Sequence, residues 1–178
     1  MNENGSNSAF VLVLCVHRIF PWHDMAYFTS LEYFSMILTG IESIPANISW
    51  SSTLRSVHLT GNWHLKLIDE HAFSSASQLQ ELSLLGSGDH LVVKPNGFHT
   101  TSKKNPKVLD ISSFYSGKVD DLLLEENAFG NVDGGELWEV MNIATSDFPE
   151  DAFRLLLKAH FDKGHTSNNS EAVSYNHK

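Results

Sequence analysis

The sequence predicts an α/β solenoid of about five irregular repeats. Short parallel strands line one face, and irregular, 3₁₀ or helical segments form the other. Three observations carry that expectation. The first is a phrase of one bulky apolar residue, three variable positions, a small residue and phenylalanine. It occurs as Ile68 to Ala72-Phe73, Val93 to Gly97-Phe98, Leu124 to Ala128-Phe129 and Phe148 to Ala152-Phe153, with a weaker echo at Ile44-Pro45-Ala46-Asn47-Ile48. The second is a strand-like phrase upstream of each, with apolar residues at offsets of three and then two. These are Leu31/Phe34/Met36, Leu54/Val57/Leu59, Leu79/Leu82/Leu84, Pro106/Leu109/Ile111 and Trp138/Met141/Ile143. The third is the spacing: starts at Leu31, Leu54, Leu79, Pro106 and Trp138 lie 23, 25, 27 and 32 residues apart.

Within each strand phrase, side chains alternate between the two faces of a sheet. In the second unit Val57 and Leu59 point inward, so Ser56, His58 and Thr60 point outward. The following Ile68 to Phe73 stretch turns the chain and lays a phenylalanine beneath the strand, and the small residue before the ring lets backbone approach it. Turn formers separate the units at Ser51-Ser52-Thr53, Gly86-Ser87-Gly88-Asp89, Ser102 to Pro106 and Asn131 to Gly135. In the last unit, Asp151 to Phe161 reads as a helix, with Pro149 near its start and Lys163-Gly164 beyond its end. The chain therefore divides into residues 1–30, which do not share the repeat, a repeat domain over 31–163, and a polar tail over 164–178 that reads as disordered.

A hydrophobic content of 42% supplies a core. Acidic residues outnumber basic ones by 21 to 12, for a net charge of −9. That balance repels phosphate backbones, and Lys103-Lys104 with Lys107 is only a loop-sized basic cluster, so nucleic acid is not an expected partner. The one cysteine, Cys15, excludes a disulfide within the chain and any cysteine-rich zinc site. Taken alone it favours a reducing compartment or a piece of something larger. It sits in the eight-residue apolar run Ala9 to Val16, too short for a bilayer, which takes about 20 residues. No Lys or Arg precedes the run and no clean small-x-small site follows it. Three readings stand for it: a cleaved signal, a buried strand or capping segment, or sequence foreign to the domain.

Leu54 through Phe73 resembles the leucine-rich repeat family, with Val57 in place of one leucine. Asn62 falls where that family uses an asparagine to bond neighbouring backbone turns. The other units carry Thr39, Ser87, Phe114 and Ser146 there, so a continuous asparagine ladder is not expected, although Thr or Ser is able to substitute in part. The irregular unit lengths and the phrases Ile41 to Pro45 and Leu156 to His165 look like arthropod extracellular members named after the Oplophorus-luciferin 2-monooxygenase non-catalytic subunit. That resemblance implies secretion, no catalytic role and a cysteine-rich C-terminal cap. No cysteine follows position 15, so the chain is expected to be a fragment that lacks the cap. The alternative compartment is the cytoplasm, since no clear signal peptide is written.

The resemblance also implies that the concave, outward row of the strands holds a protein or peptide. The candidate ligand-binding positions are Tyr33, Ser35, Ser56, His58, Thr60, Glu81, Ser83, Asp110, Ser112 and Asn142. The face carries one exposed aromatic, Tyr33, and none of the Trp or Arg anchors that dominate many interfaces. Its middle row, Ser35, His58, Ser83, Asp110 and Asn142, contains a Ser-His-Asp set. A small hydrolase using His58 and Ser83 is the competing enzyme reading, but Asp110 would lie beyond the serine, whereas catalysis needs acid, base and nucleophile in that order. No nucleophile elbow is written. The expectation is a chain that is not an enzyme and needs no cofactor.

None of the ten histidines forms the i, i+4 pair of zinc enzymes, and Gly86-Ser87-Gly88 lacks the Lys-Ser/Thr of a phosphate loop. The carboxylate pairs Asp69-Glu70, Glu125-Glu126 and Glu150-Asp151 read as solvated turn charge, and no metal is expected. Of three glycosylation sequons, at Asn4, Asn47 and Asn168, Asn47 falls on a turn in the first repeat and is the one to carry a glycan if the chain is exported. A fragment of a receptor-type ectodomain and a purely structural scaffold are the other binding-class alternatives.

Overall fold

In the computed structural model, residues 9–13, 18–87, 90–103, 107–110, 122–125, 127–130 and 138–141 are described. Their strands, in chain order, are β1 (Ala9–Val13), β2 (Tyr33–Ile37), β3 (Ser43–Ile44), β4 (Ser56–Thr60), β5 (Leu67–Ile68), β6 (Glu81–Ser83), β7 (Leu91–Val93), β8 (Lys107–Asp110), β9 (Leu122–Leu124) and β10 (Trp138–Met141). They alternate between two parallel sheets. One has six strands in the order β1-β2-β4-β6-β8-β10, the other four in the order β3-β5-β7-β9. Each β2-to-β3, β4-to-β5, β6-to-β7 and β8-to-β9 passage is one turn of a coil, so the chain is a parallel-strand solenoid of about four turns.

The periodicity of the sequence produces this stacking directly. Phe34, Val57, Leu82 and Leu109 sit opposite one another along the larger sheet, and each is at most 1% exposed. On the return side, Ile44, Ile68, Val93 and Leu124 form the matching column of the smaller sheet. Each coil thus hides its apolar edge only against its neighbours, which is the energetic signature of a solenoid.

The return side departs from the expected irregular or helical wall. Among the described residues the only helical segment is the 3₁₀ turn Trp22–Tyr27; the wall is the second parallel sheet of two- and three-residue strands. β-Branched side chains at Ile44, Ile68 and Val92-Val93 favour pleated backbone over helix. The helix expected at Asp151 to Phe161 lies outside the described residues.

Three residues after the column residue of the smaller sheet, one position in each coil takes a left-handed backbone: Asn47, His71, Asn96 and Asn127, with φ of 54, 57, 59 and 60°, followed by Ile48 in the first coil and by a small residue in the other three. Asparagine tolerates that region better than most residues. The small residue that follows is required by contact. A Cβ on Gly97 would lie 2.7 Å from Val93 Cγ1 and 3.0 Å from the Lys94 carbonyl oxygen. The rings then stack along the coil: Trp50 lies parallel to Phe73 at 5.7 Å and Phe98 is 5.0 Å from Phe129. Phe73 and Phe98 are fully buried, and Phe153 lies outside the described residues.

β1 comes from the segment that the repeat pattern leaves out. Phe10 pairs in register with Phe34 and Leu12 with Met36, so Ala9–Val13 is a further coil's strand at the end of the larger sheet. Its inward Phe10 and Leu12 pack on the core, and the 3₁₀ turn beyond it buries Met25.

Candidate functional site

The outward side of the larger sheet is the surface on which the sequence places its candidate residues. Register fixes their arrangement. Tyr33, Ser56, Glu81 and Val108 form one row across the strands; Ser35, His58, Ser83 and Asp110 form the next. Ile37 and Thr60 follow along the same strands. Alternation produces this because Phe34, Met36, Val57, Leu59 and Leu82 are consumed by the core.

Four of these residues form a contiguous polar cluster. The Tyr33 ring lies 4.9 Å from the His58 ring, tilted by 50°. His58 Nε2 is 3.3 Å from Glu81 Oε2. The Ser56 hydroxyl donates to that same oxygen at 3.2 Å. The imidazole is close enough for charge attraction but off the direction of a hydrogen bond, for Nε2 is buried with no hydrogen-bond partner. The Ser35 hydroxyl beside it in register is likewise buried without one.

Ser35 and Ser83 are on the expected face but are covered rather than solvated, at 1% and 5% exposure. Short side chains between taller neighbours on a tightly spaced sheet lose contact with water. Asp110 lies in the row as expected, on the far side of Ser83 from His58. Acid, base and nucleophile therefore do not follow in order, and Ser35 Oγ makes no bond to the imidazole.

At the far end the register differs by one residue from the sequence phrase. Val140 pairs opposite Leu109, and Met141 opposite Asp110. Met141 thus takes the middle-row position opposite Asp110, and a one-residue slip exchanges the two faces. Ser112 and Asn142 themselves lie outside the described residues. At the near end Val11 and Val13, 55% and 50% exposed, extend the face beside Ser35 and Ile37. Sequence reasoning missed them, although Phe10 and Leu12 repeat the Phe34/Met36 alternation one coil earlier.

Elsewhere, Asn47 is exposed on its left-handed turn. His71 Nδ1 lies 3.2 Å from Ser74 Oγ, and the His71 and His99 rings are 6.4 Å apart. On the return wall Lys94 pairs with Glu125 at 2.9 Å. The Glu125 hydrogen bond and charge hold the Lys94 pKa above its ordinary value of 10.5. Among the described residues no group of three or more His, Cys, Asp or Glu is placed to hold a metal ion, and no helix is long and apolar enough to cross a membrane.

Comparison with protein-family models, with curated proteins and with solved structures gives no match.

Proposed function

We propose that this chain is a non-catalytic recognition protein of the leucine-rich repeat type, which holds a protein or peptide partner against the outward face of its six-stranded sheet. The observation that carries the reading is the cluster of Tyr33, Ser56, His58 and Glu81. These residues sit on rigid paired strands, face away from the core, and combine an aromatic surface with polar groups. A site built on strands is more exact than one built on loops. The Thr39, Asn62 and Ser87 positions support the leucine-rich repeat assignment, because Asn62 and Ser87 bond the backbone of the preceding coil as that family's asparagine does. The same reading places the chain outside the cell, with Asn47 as its glycan acceptor and with a catalytic subunit as one kind of partner to be stabilised.

The test is capture by the tagged chain, with partners identified by mass. Ser56→Arg with Thr60→Arg fills the face with long charged side chains and is expected to abolish capture. Glu70→Arg on the opposite wall is expected to leave it intact. Equal loss from both variants removes the sheet face from consideration. Ser83, another of the candidate positions, is unsuitable for such a substitution because it is buried. Glycosidase treatment of chain secreted from a eukaryotic host should lower its mass, and Asn47→Gln should remove that shift.

A further inference from the structure

The chemistry of the sheet face narrows the partner. Among the described residues Glu81 uses one carboxylate oxygen, Oε2, toward Ser56 and His58. Its side chain is 43% exposed, and among the described residues Oε1 has no hydrogen-bond or ion-pair partner. Asp110 lies one strand further on in the neighbouring row, and Glu139 on β10 stands in the row of Glu81, beyond Val108. No Lys or Arg occupies an outward strand position among the described residues. The whole chain adds its net charge of −9. Beside Glu81 stands the Tyr33 ring, whose negative π-face attracts cations within about 6 Å of its centre.

A second observation is independent of that charge. Ser35 Oγ and His58 Nε2 are neighbours on adjacent strands of this face, and both are buried without a hydrogen-bond partner. Two orphaned polar atoms side by side are rare in a folded protein and mark a place that awaits an outside group. Ser35 Oγ is able to accept from an N–H donor, and His58 Nε2 does so when the imidazole is neutral with its proton on Nδ1. Carboxylate, π-face and two acceptors together select a group that is positively charged and rich in N–H.

Building on the recognition reading, we infer that the face takes a basic partner, inserting a lysine or arginine side chain at the Tyr33, His58 and Glu81 cluster. The acidic field of the chain brings such a partner in, and Glu81 with Tyr33 fixes where it lands.

The probes are fluorescently labelled octalysine and octaglutamate, titrated with the full chain and read by anisotropy. Octalysine is expected to bind, and octaglutamate is not. Glu81→Gln keeps the shape of the side chain and the Ser56 contact while removing the charge. It is expected to weaken octalysine about tenfold, the worth of one charge-assisted contact. Tyr33→Leu is expected to weaken it about threefold through loss of the π-face. Glu70→Gln makes the same change in net charge on the other wall and should alter binding less than twofold. Thermal unfolding of each variant checks that the fold is kept. Equal effects of Glu81→Gln and Glu70→Gln, or no octalysine binding at all, overturn the inference. If octalysine fails while Ser56→Arg with Thr60→Arg still abolishes partner capture, the charge class falls and the recognition reading survives.

Discussion

The first coil and the middle coils of this solenoid are joined to their neighbours by different forces. At the N-terminal end the joint is made of rings. Phe10 stacks on Phe34 at 5.4 Å with only 9° between planes, and Phe28 and Phe20 meet Phe10 edge-on at 5.5 and 5.9 Å. Phe20, Trp22 and Trp50 close on Phe34 from 5.2 to 6.1 Å. In the middle the joint is a ladder of polar side chains reaching across coils. Thr39 donates from its backbone N and its hydroxyl to Asn62 Oδ1, at 2.8 and 2.5 Å. Asn62 Nδ2 donates to the Met36 carbonyl at 2.9 Å, and Asn62 N donates to Ser87 Oγ, whose hydroxyl donates to the Leu59 carbonyl. Along the opposite edge Ser51, Ser75, Ser77 and Thr101 donate to the carbonyls of Thr29, Ile48, Ser52 and Ser74, each one coil back.

The difference follows from what an end coil lacks. A ladder rung needs a partner on both sides, and a terminal rung would bury half of its polar atoms unpaired. A ring has no such obligation: one face meets the core while the other is left partly exposed at modest cost. Directed bonds also demand equal spacing from coil to coil, whereas rings tolerate variation in it. Trp50 belongs to both systems. Its ring packs between Phe34 and Phe73, and its Nε1 donates to the Ala72 carbonyl at 2.8 Å.

The largest test of this division is Phe34→Ala. Phe34 is fully buried and carries the ring cluster into the core, so its loss is expected to cost about 4 kcal/mol and to lower the urea midpoint of the whole array. Asn62→Ala should follow, at about 3 kcal/mol, since it strands two donors of Thr39 and the Met36 carbonyl in a fully buried site. If the ladder were incidental, Asn62→Ala would cost no more than a surface substitution. Phe10→Ala removes a ring that is only partly buried, and about 2 kcal/mol is expected. Hydrogen exchange should then show faster opening of β1 with little change at β4 or β6, because coils interact mainly with their nearest neighbours. Uniform acceleration would show that the end coil is not a separable unit.

A subtler comparison concerns backbone strain. Leu38, Gly61 and Gly86 take left-handed φ of 54, 67 and 63° at the exit of successive strands of the larger sheet. Two coils use glycine there and the first uses leucine, packed so that a Cβ on Gly61 would lie 2.6 Å from Leu38 Cδ2. Leu38→Gly is expected to raise stability by up to about 1 kcal/mol, because leucine pays a steric cost in this region. Gly61→Ala should lower it by more than that amount, through strain and the Leu38 contact together. A thermal midpoint that moves the same way in both would contradict the account.

Which parts were legible in the sequence follows from the same physics. Columns such as Phe34/Val57/Leu82 were legible because burial at period two leaves a mark on residue type. The outward positions of β2, β4 and β6 follow from those columns by alternation alone. The second sheet was not legible, since strands of two or three residues leave too short a run for periodicity to register. Nor was β1, whose apolar run in isolation reads as a leader, as a buried strand or as sequence foreign to the domain; only pairing with β2 decides its conformation. Ser75 as a ladder rung was hidden too, because serine in a turn usually bonds its own neighbours; Ser87 was legible as a substitute at the asparagine position only through its alignment with Asn62. The shift at β10 arises where the unit is longest and spacing no longer fixes the face. Whether Ser35 is solvated cannot be read from alternation, which gives direction but not the height of neighbouring side chains.

The smallest expected effect lies on the return wall and separates exposed charge from both buried systems. Lys94 and Glu125 follow directly after β7 and β9, and Asp69 after β5, so the three line up across successive coils. The Lys94 side chain is 41% exposed, and solvent and salt weaken such pairs. Glu125 nevertheless raises the Lys94 pKa in the folded chain, first by its hydrogen bond and then by its charge. A raised lysine pKa means that the folded state holds its proton more tightly than the unfolded state does. The contribution is therefore complete below the unfolded value near 10.5 and is lost as pH rises through the higher folded value. The unfolding midpoints of wild type and Lys94→Met should differ slightly at neutral pH and converge once pH has risen past the raised folded value, with added salt shrinking the gap at the lower pH. A gap that widens with pH would reverse the sign of the coupling. A gap as large as that of Asn62→Ala would mean that exposed charge, rather than rings and buried amides, holds these coils together.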